Sequence, residues 1–191
     1  MKGFCGMSAT NRGAIREGSD FYPTPLVTIE QFLNVHKIQD GIILEPCAGN
    51  GNFISVLRKL GYTNEIVANE LREEENDNLI NVGADYVHHV DFLNDKLPNY
   101  NVKTIITNPP FSHAKEFIER SLELYPNAEI IMLLRLAFLE SKSRHEFWQN
   151  TSLSKLYVLS QRPKFINNKS DATAYAFFVF SNKKTNDIAV I

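Results

Sequence analysis

The stretch Thr107-Asn108-Pro109-Pro110-Phe111 brings together the residue types best suited to chemistry in this chain. It directly follows Val102-Lys103-Thr104-Ile105-Ile106, a β-branched run that reads as a buried strand. Two prolines cannot donate to a ladder, so the strand must stop there. An amide side chain, two carbonyls held by rigid rings and an aromatic face then sit at a strand's C-terminal end, where open α/β sheets bind ligands. The exocyclic amine of adenine is a poor nucleophile because its lone pair is delocalised into the ring. Two acceptors set against its N–H bonds, the Asn108 side-chain oxygen and the Pro109 carbonyl, would draw the nitrogen toward tetrahedral geometry. Phe111 could stack on the base, and Pro109 and Pro110 fix the local φ angles so that little reorganisation is needed. The competing interpretation is a strand closed by a proline turn, with Phe111 in the core.

A second constellation lies upstream. Gly41-Ile42-Ile43-Leu44 reads as a buried strand running into Glu45-Pro46-Cys47-Ala48-Gly49-Asn50-Gly51-Asn52-Phe53. A helix follows, with Phe53, Val56, Leu57 and Leu60 on one face and Gly61 as its stop. Strand, glycine loop and helix make a nucleotide-type cradle, because glycine lets the backbone approach a ligand and the helix N-terminus offers N–H groups. A dinucleotide fingerprint needs a third glycine at position 54, where Ile54 stands, so a nucleoside-like ligand with a carboxylate fits better than a pyrophosphate. Glu70 ends the next strand, residues 65–69, where an acid can accept hydrogen bonds from ribose hydroxyls. Asp91-Phe92, after a third short strand over residues 85–89, could meet a purine amine and its ring. His88 and His89 point to opposite faces of that strand and make a poor metal pair.

The elements that position these groups alternate. Thr24 is expected to cap a helix beginning at Pro25 and running to about Lys37. Residues 72–82 read as a polar helix, 113–124 as an amphipathic one and 141–149 as a third. Residues 129–134 form a fifth strand, and 156–159 with 173–180 a closing antiparallel pair. The alternation argues for an α/β fold around a right-handed parallel sheet covered on both faces. Residues 1–19 read as an irregular arm and 20–191 as one domain, with no linker to divide it. Two cysteines far apart suggest neither a disulfide framework nor a zinc site. No apolar run reaches membrane-spanning length and the first residues lack a signal-peptide core, which makes the cytoplasm the expected compartment.

The net charge of −2 hides an asymmetry. Residues 1–134 carry 11 Lys and Arg against 18 Asp and Glu, whereas residues 135–184 carry 9 against 3. A basic segment on an acidic chain suits phosphate, or is merely solvated.

Taken together, these motifs resemble the class I S-adenosylmethionine-dependent methyltransferases of the DNA adenine-N6 type, and among them the small forms encoded by phages and mobile elements. The resemblance spans Asp20 to Phe180. Glu45, Pro46, Ala48, Gly49, Asn50, Gly51 and Phe53 match the cofactor loop and helix start; Glu70-Leu71 the ribose acid; Asp91-Phe92 the adenine contact; and Asn108-Pro109-Pro110-Phe111 the catalytic motif, with Asn108 also beside the cofactor. Tyr22, Thr24 and Pro25 match the element beside the cofactor's methionine part. The resemblance implies a Rossmann-like, seven-stranded, mostly parallel sheet with a C-terminal antiparallel hairpin, no metal, and methyl transfer to adenine in DNA. In duplex DNA the target must be flipped out of the stack. Only Asn94 to Asn101 separates the third and fourth strands, which leaves no room for the family's separate target-recognition region. The same motif serves enzymes that methylate guanine in ribosomal RNA, and its tyrosine variant those acting on protein glutamine. A catalytically silent cofactor-binding or DNA-binding module is the alternative of another class. In such a sheet the loops near Arg135, Arg144, Arg162, Lys164 and Lys169 fall on the ligand side, making these the expected phosphate contacts.

Overall fold

The computed structural model describes residues 23–165, 173–182 and 185–191. Among them run eight strands: β1 Ile42–Glu45, β2 Ile66–Asn69, β3 Tyr86–His88, β4 Val102–Thr107, β5 Glu129–Arg135, β6 Leu153–Val158, β7 Tyr175–Phe180 and β8 Asp187–Val190. The helices are α1 Leu26–Val35, α2 Asn52–Lys59, α3 Asn76–Asn81, α4 Ala114–Leu124 and α5 His145–Asn150. One sheet takes all the strands in the order β3-β2-β1-β4-β5-β7-β6-β8. The first five pair in parallel, and β7 runs antiparallel between β5 and β6. The order reverses between β1 and β4, so the C-terminal ends of those two strands flank a switch point, where such sheets bind ligands.

Strand sequences are apolar almost throughout because both faces are covered. Alternate residues go to opposite sides. Ile43, Ile66, Ala68, Ile131, Leu133, Phe177 and Val179 pack with Ile29, Phe32, Leu33, Phe53 and Leu57 of α1 and α2. Leu44, Val67, Ile130, Met132, Leu134, Phe178 and Phe180 pack with Phe117, Ile118 and Phe147 of α4 and α5. Phe32 stacks on Phe177 at 4.2 Å between centroids, tying α1 to the middle of the sheet. At the opposite end from the switch point, His36 bonds the Tyr157 hydroxyl at 3.0 Å and Glu129 at 2.9 Å, which fixes the end of α1 against β5 and β6.

Several expectations shift. The helix expected from Pro25 to about Lys37 spans Leu26–Val35, and Thr24 makes no capping bond. The carbonyl of Pro25 itself accepts from the N–H groups of Thr28 and Ile29, so no side chain is required. The polar helix over 72–82 divides into a 3₁₀ turn, Glu73–Glu75, and the short α3. Residues 141–149 likewise divide into a 3₁₀ turn, Lys142–Arg144, and α5. The last strand of the sheet, β8, pairs in parallel with β6. It is the eighth strand where seven were expected, a short edge run in which Ile188 and Val190 are 72% and 70% exposed while Ala189 packs on the core. No helix among the described residues is long and apolar enough to cross a membrane.

Candidate active site

The loop leaving β1 is tied to the two strands beside it. Ala48 N–H donates to the Asn69 carbonyl at 2.8 Å, and Gly49 N–H donates to Glu70 Oε2 at 2.8 Å. Gly49 and Gly51 have φ of 55° and 77°, a region that costs other residues steric strain. A Cβ on Gly51 would also lie 2.5 Å from Val82 Cγ2, so this glycine lets α2 start close against the segment after α3. Asn52 Nδ2 donates to the Thr24 carbonyl at 2.8 Å, which draws the chain before α1 onto the start of α2. Buried Asn69 donates to the carbonyls of Pro46 and Val90 and accepts from Val90 N–H, joining the ends of β1, β2 and β3.

A cavity of about 170 Å³ opens beside this loop. Of the expected residues, Thr24, Glu45, Pro46, Ala48, Gly49, Asn50, Phe53, Glu70, Leu71, Asp91, Phe92, Asn108 and Pro110 line it. The structure thus brings the two motifs, 58 residues apart at Asn50 and Asn108, to one space. Pro25, Gly51, Pro109 and Phe111 stand outside the lining, and Tyr22 and Lys169 lie outside the described residues.

The cavity is acidic, and its acids differ in state. Glu45 is 2% exposed, and its Oε2 has no hydrogen-bond partner among the described residues. Burial pushes its carboxyl well above the usual range, with nearby Glu70 adding to the rise. Glu70 is held from both sides, with Oε2 on Gly49 N–H and Oε1 accepting from Arg72 Nε at 2.9 Å and Arg72 N–H at 3.2 Å. Asp91 accepts from Asn94 Nδ2 at 2.7 Å and Leu93 N–H at 3.0 Å. The Asn94 side chain and those N–H groups hold its carboxyl below the usual range, so it is an anion. Burial and the three acids push the Cys47 thiol up, leaving a neutral wall rather than a nucleophile. Phe92 stacks on Phe117 at 5.5 Å and 19°.

Phe111 opens a 3₁₀ turn, Phe111–His113, at the start of α4. It is half-buried and packs on the cores of both sheet faces. Buried Tyr175 lies 5.7 Å from its ring, and the Arg135 guanidinium stands 5.0 Å over it. Asn108 and Pro110 line the cavity, and Phe111 follows them in the chain outside its lining.

No family model and no curated protein matches the sequence. Solved structures do match. A candidate RNA methyltransferase from Pyrococcus horikoshii aligns with a TM-score of 0.64 at 19% identity, over 84% of this chain and 86% of that one. A dimethyladenosine transferase from Plasmodium falciparum aligns with a TM-score of 0.62 at 14% identity, over 86% of this chain and 64% of that one. The 23S rRNA methyltransferase ErmE aligns with a TM-score of 0.57 at 14% identity, over 82% of this chain and 68% of that one. The fold is that of the class I methyltransferases. At these identities the likeness is one of fold.

Within the class I methyltransferase fold, the cavity also takes residues that were not among the expected site residues: Cys47, Asn52, Asn69, Arg72, Val90 and Phe117. Cys47, Asn52 and Asn69 sit inside or beside the motifs, and that adjacency is their signal. Phe117 follows the apolar stripe of α4, which marks it as buried without saying that a cavity lies beyond it. Arg72 carries no signal, standing just before three glutamates.

The expected basic residues are dispersed in role. Arg144 donates to the carbonyls of Phe138, Ala137 and Glu140 and stands 4.9 Å over the Phe138 ring. Arg162 and Lys164 are exposed beyond β6, and Arg135 is exposed at the end of β5.

Proposed function

We propose that this chain is an S-adenosylmethionine-dependent methyltransferase acting on the exocyclic amine of a nucleobase. The observation that carries the proposal is Glu45, a carboxyl buried with one oxygen unpartnered, in the same cavity that Asn108 lines. A buried acid with an orphan oxygen is costly unless a donor, best a cation, completes it. The ammonium of S-adenosylmethionine is such a donor. Glu70 would accept from the ribose hydroxyls, Asp91 from the adenine amine, and Phe92 would pack on the purine; with Glu45, this arrangement has an acceptor for the ammonium, the hydroxyls and the amine. The cofactor, when bound, supplies an activated methyl group.

The chain's own part in transfer lies at Asn108 to Phe111. The Asn108 side-chain oxygen and the Pro109 carbonyl accept from a planar amine, localising its lone pair. Phe111 supports the base by its face. The acceptors sit on a strand end braced by two prolines, so their dipoles are oriented before the amine arrives.

RNA is the polymer favoured by the similar structures, two of which are named for RNA or ribosomal RNA. The second reading, adenine in DNA, is supported by Asn108-Pro109-Pro110-Phe111 following the cofactor loop in the chain. The test is incubation of purified protein with labelled S-adenosylmethionine and, separately, single-stranded DNA, duplex DNA, RNA and protein, followed by digestion. Label on a nucleobase amine is expected. Label only in protein, or no binding of the cofactor by calorimetry, overturns the proposal.

A further inference from the structure

Phe111 is half-buried, and the Arg135 guanidinium stands over its ring. Its buried surroundings are the two cores and Tyr175, which is 1% exposed. Its exposed neighbour is Arg135, whose guanidinium carbon stands 5.0 Å over the ring centroid. This placement is fixed by the sheet: Arg135 is the last residue of β5 and pairs in register with Tyr175 of β7. Leu136 N–H then donates to the Ala174 carbonyl at 2.8 Å, which holds the strand end in place. A guanidinium is a planar cation that lies on aromatic faces as a base does. It is also a strong ligand for phosphate.

We propose that Arg135 is a gate for the target base: it lies on the stacking face of Phe111 until a base displaces it, and the displaced guanidinium then pairs with a phosphate beside that base. The inference rests on the nucleobase reading of the site and adds a requirement to it. A base without a phosphate displaces Arg135 from the ring and brings it no phosphate in exchange, whereas a nucleotide within a strand supplies one. The same residue therefore disfavours free nucleosides and favours polymer. No bond is made or broken at Arg135, and its charge is unchanged throughout.

The test compares Arg135→Ala and Arg135→Lys with the unmodified chain. Methyl transfer from labelled S-adenosylmethionine is measured to a random-sequence oligonucleotide pool, as DNA and as RNA, and to adenosine and guanosine. Calorimetric cofactor affinity and the thermal midpoint verify that each variant is folded. In Arg135→Ala the KM for nucleoside should fall about two- to fivefold, the size of an exposed cation–π contact removed. Its KM for oligonucleotide should rise about tenfold or more, the size of one lost charge-assisted hydrogen bond. Arg135→Lys should keep part of the oligonucleotide affinity, since it retains the charge, while losing the bias against nucleosides.

Opposite movements of the two KM values support the gate. A rise in both overturns it and assigns Arg135 to support of Phe111 or to a sandwich with the base. A rise for oligonucleotide alone also overturns it and leaves an ordinary phosphate contact. If the unmodified chain binds cofactor but transfers label to no nucleobase probe, the functional reading falls and the gate falls with it.

Discussion

The backbone N–H of Gly49 donates to Glu70 Oε2 at 2.8 Å, joining the loop after β1 to the end of β2. One carboxylate thus shapes the loop and faces the cavity, while Arg72 holds its other oxygen. A carboxylate has about four acceptor sites, of which Arg72 takes two on Oε1 and Gly49 one on Oε2, so Oε2 keeps capacity for a hydroxyl group. Glu70→Ala removes the loop's anchor and the proposed ribose acceptor together. The expected result is a cofactor affinity lower by about 1.5–3 kcal/mol, the value of a hydrogen bond to a charged group. Calorimetry that finds the affinity unchanged removes Glu70 from the site.

Glu45 gives the protein a signature in pH. Its folded carboxyl holds its proton to higher pH than the unfolded chain does, because burial and then Glu70 oppose ionisation. The folded state therefore binds more protons in that interval, and stability falls as pH rises from the unfolded carboxyl's range through the folded one. A bound ammonium reverses the preference and favours the carboxylate. Cofactor binding should release a proton and tighten with pH over the same interval. Calorimetry in buffers of different ionisation enthalpy measures that proton directly. Glu45→Gln should abolish the release, weaken binding and raise the thermal midpoint at neutral pH. A variant that binds as well as the parent, with no change in proton count, would show that Glu45 does not meet the cofactor.

Asn108 differs from these residues in acting on the second substrate. Asn108→Ala should lower turnover about a hundredfold or more, by analogy with loss of a preorganised hydrogen-bonding group. Its effect on cofactor affinity should be smaller, since other residues complete the cavity. The split between KM for cofactor and kcat measures this. Equal losses in binding and turnover would place Asn108 in the cofactor site alone. Phe111 needs a gentler change, because it packs on both cores. Phe111→Trp should keep much of the activity, and Phe111→Leu should lose base stacking of about 1–3 kcal/mol.

The parts legible in the sequence were those in which chemistry and local geometry coincide. Apolar runs gave the parallel strands because a sheet covered on both faces leaves little polar signal within them. Asn108 stood out because an amide acceptor followed by two prolines and an aromatic ends a buried strand, and Glu45 because it opens the glycine loop after another. What escaped depends on distant neighbours. Arg72 matters through Glu70, and Phe117 through the space beyond Phe92, neither of which a local pattern encodes. Arg144 shows the converse. Its charge matched the basic segment, yet its guanidinium closes a local turn by binding three carbonyls. The edge strand β8 shows little inward apolar face, since Ile188 and Val190 are exposed and only Ala189 and the following Ile191 pack on the core.

Arg162 and Lys164 are two exposed cations of the basic segment, beyond the end of β6. Their expected partner is the phosphate backbone, which positions a strand without reading its bases. Replacing both with Glu should weaken binding to unrelated sequences alike, and the slope of log affinity against log salt should flatten by about one or two. Cofactor affinity should be unchanged, since neither residue lines the cavity. Arg144→Glu should behave differently, lowering the thermal midpoint because the carbonyls of Phe138, Ala137 and Glu140 lose their donor. Titration of labelled oligonucleotides over a range of salt separates the two cases. An unchanged slope in the double variant would exclude this loop as a phosphate-binding surface.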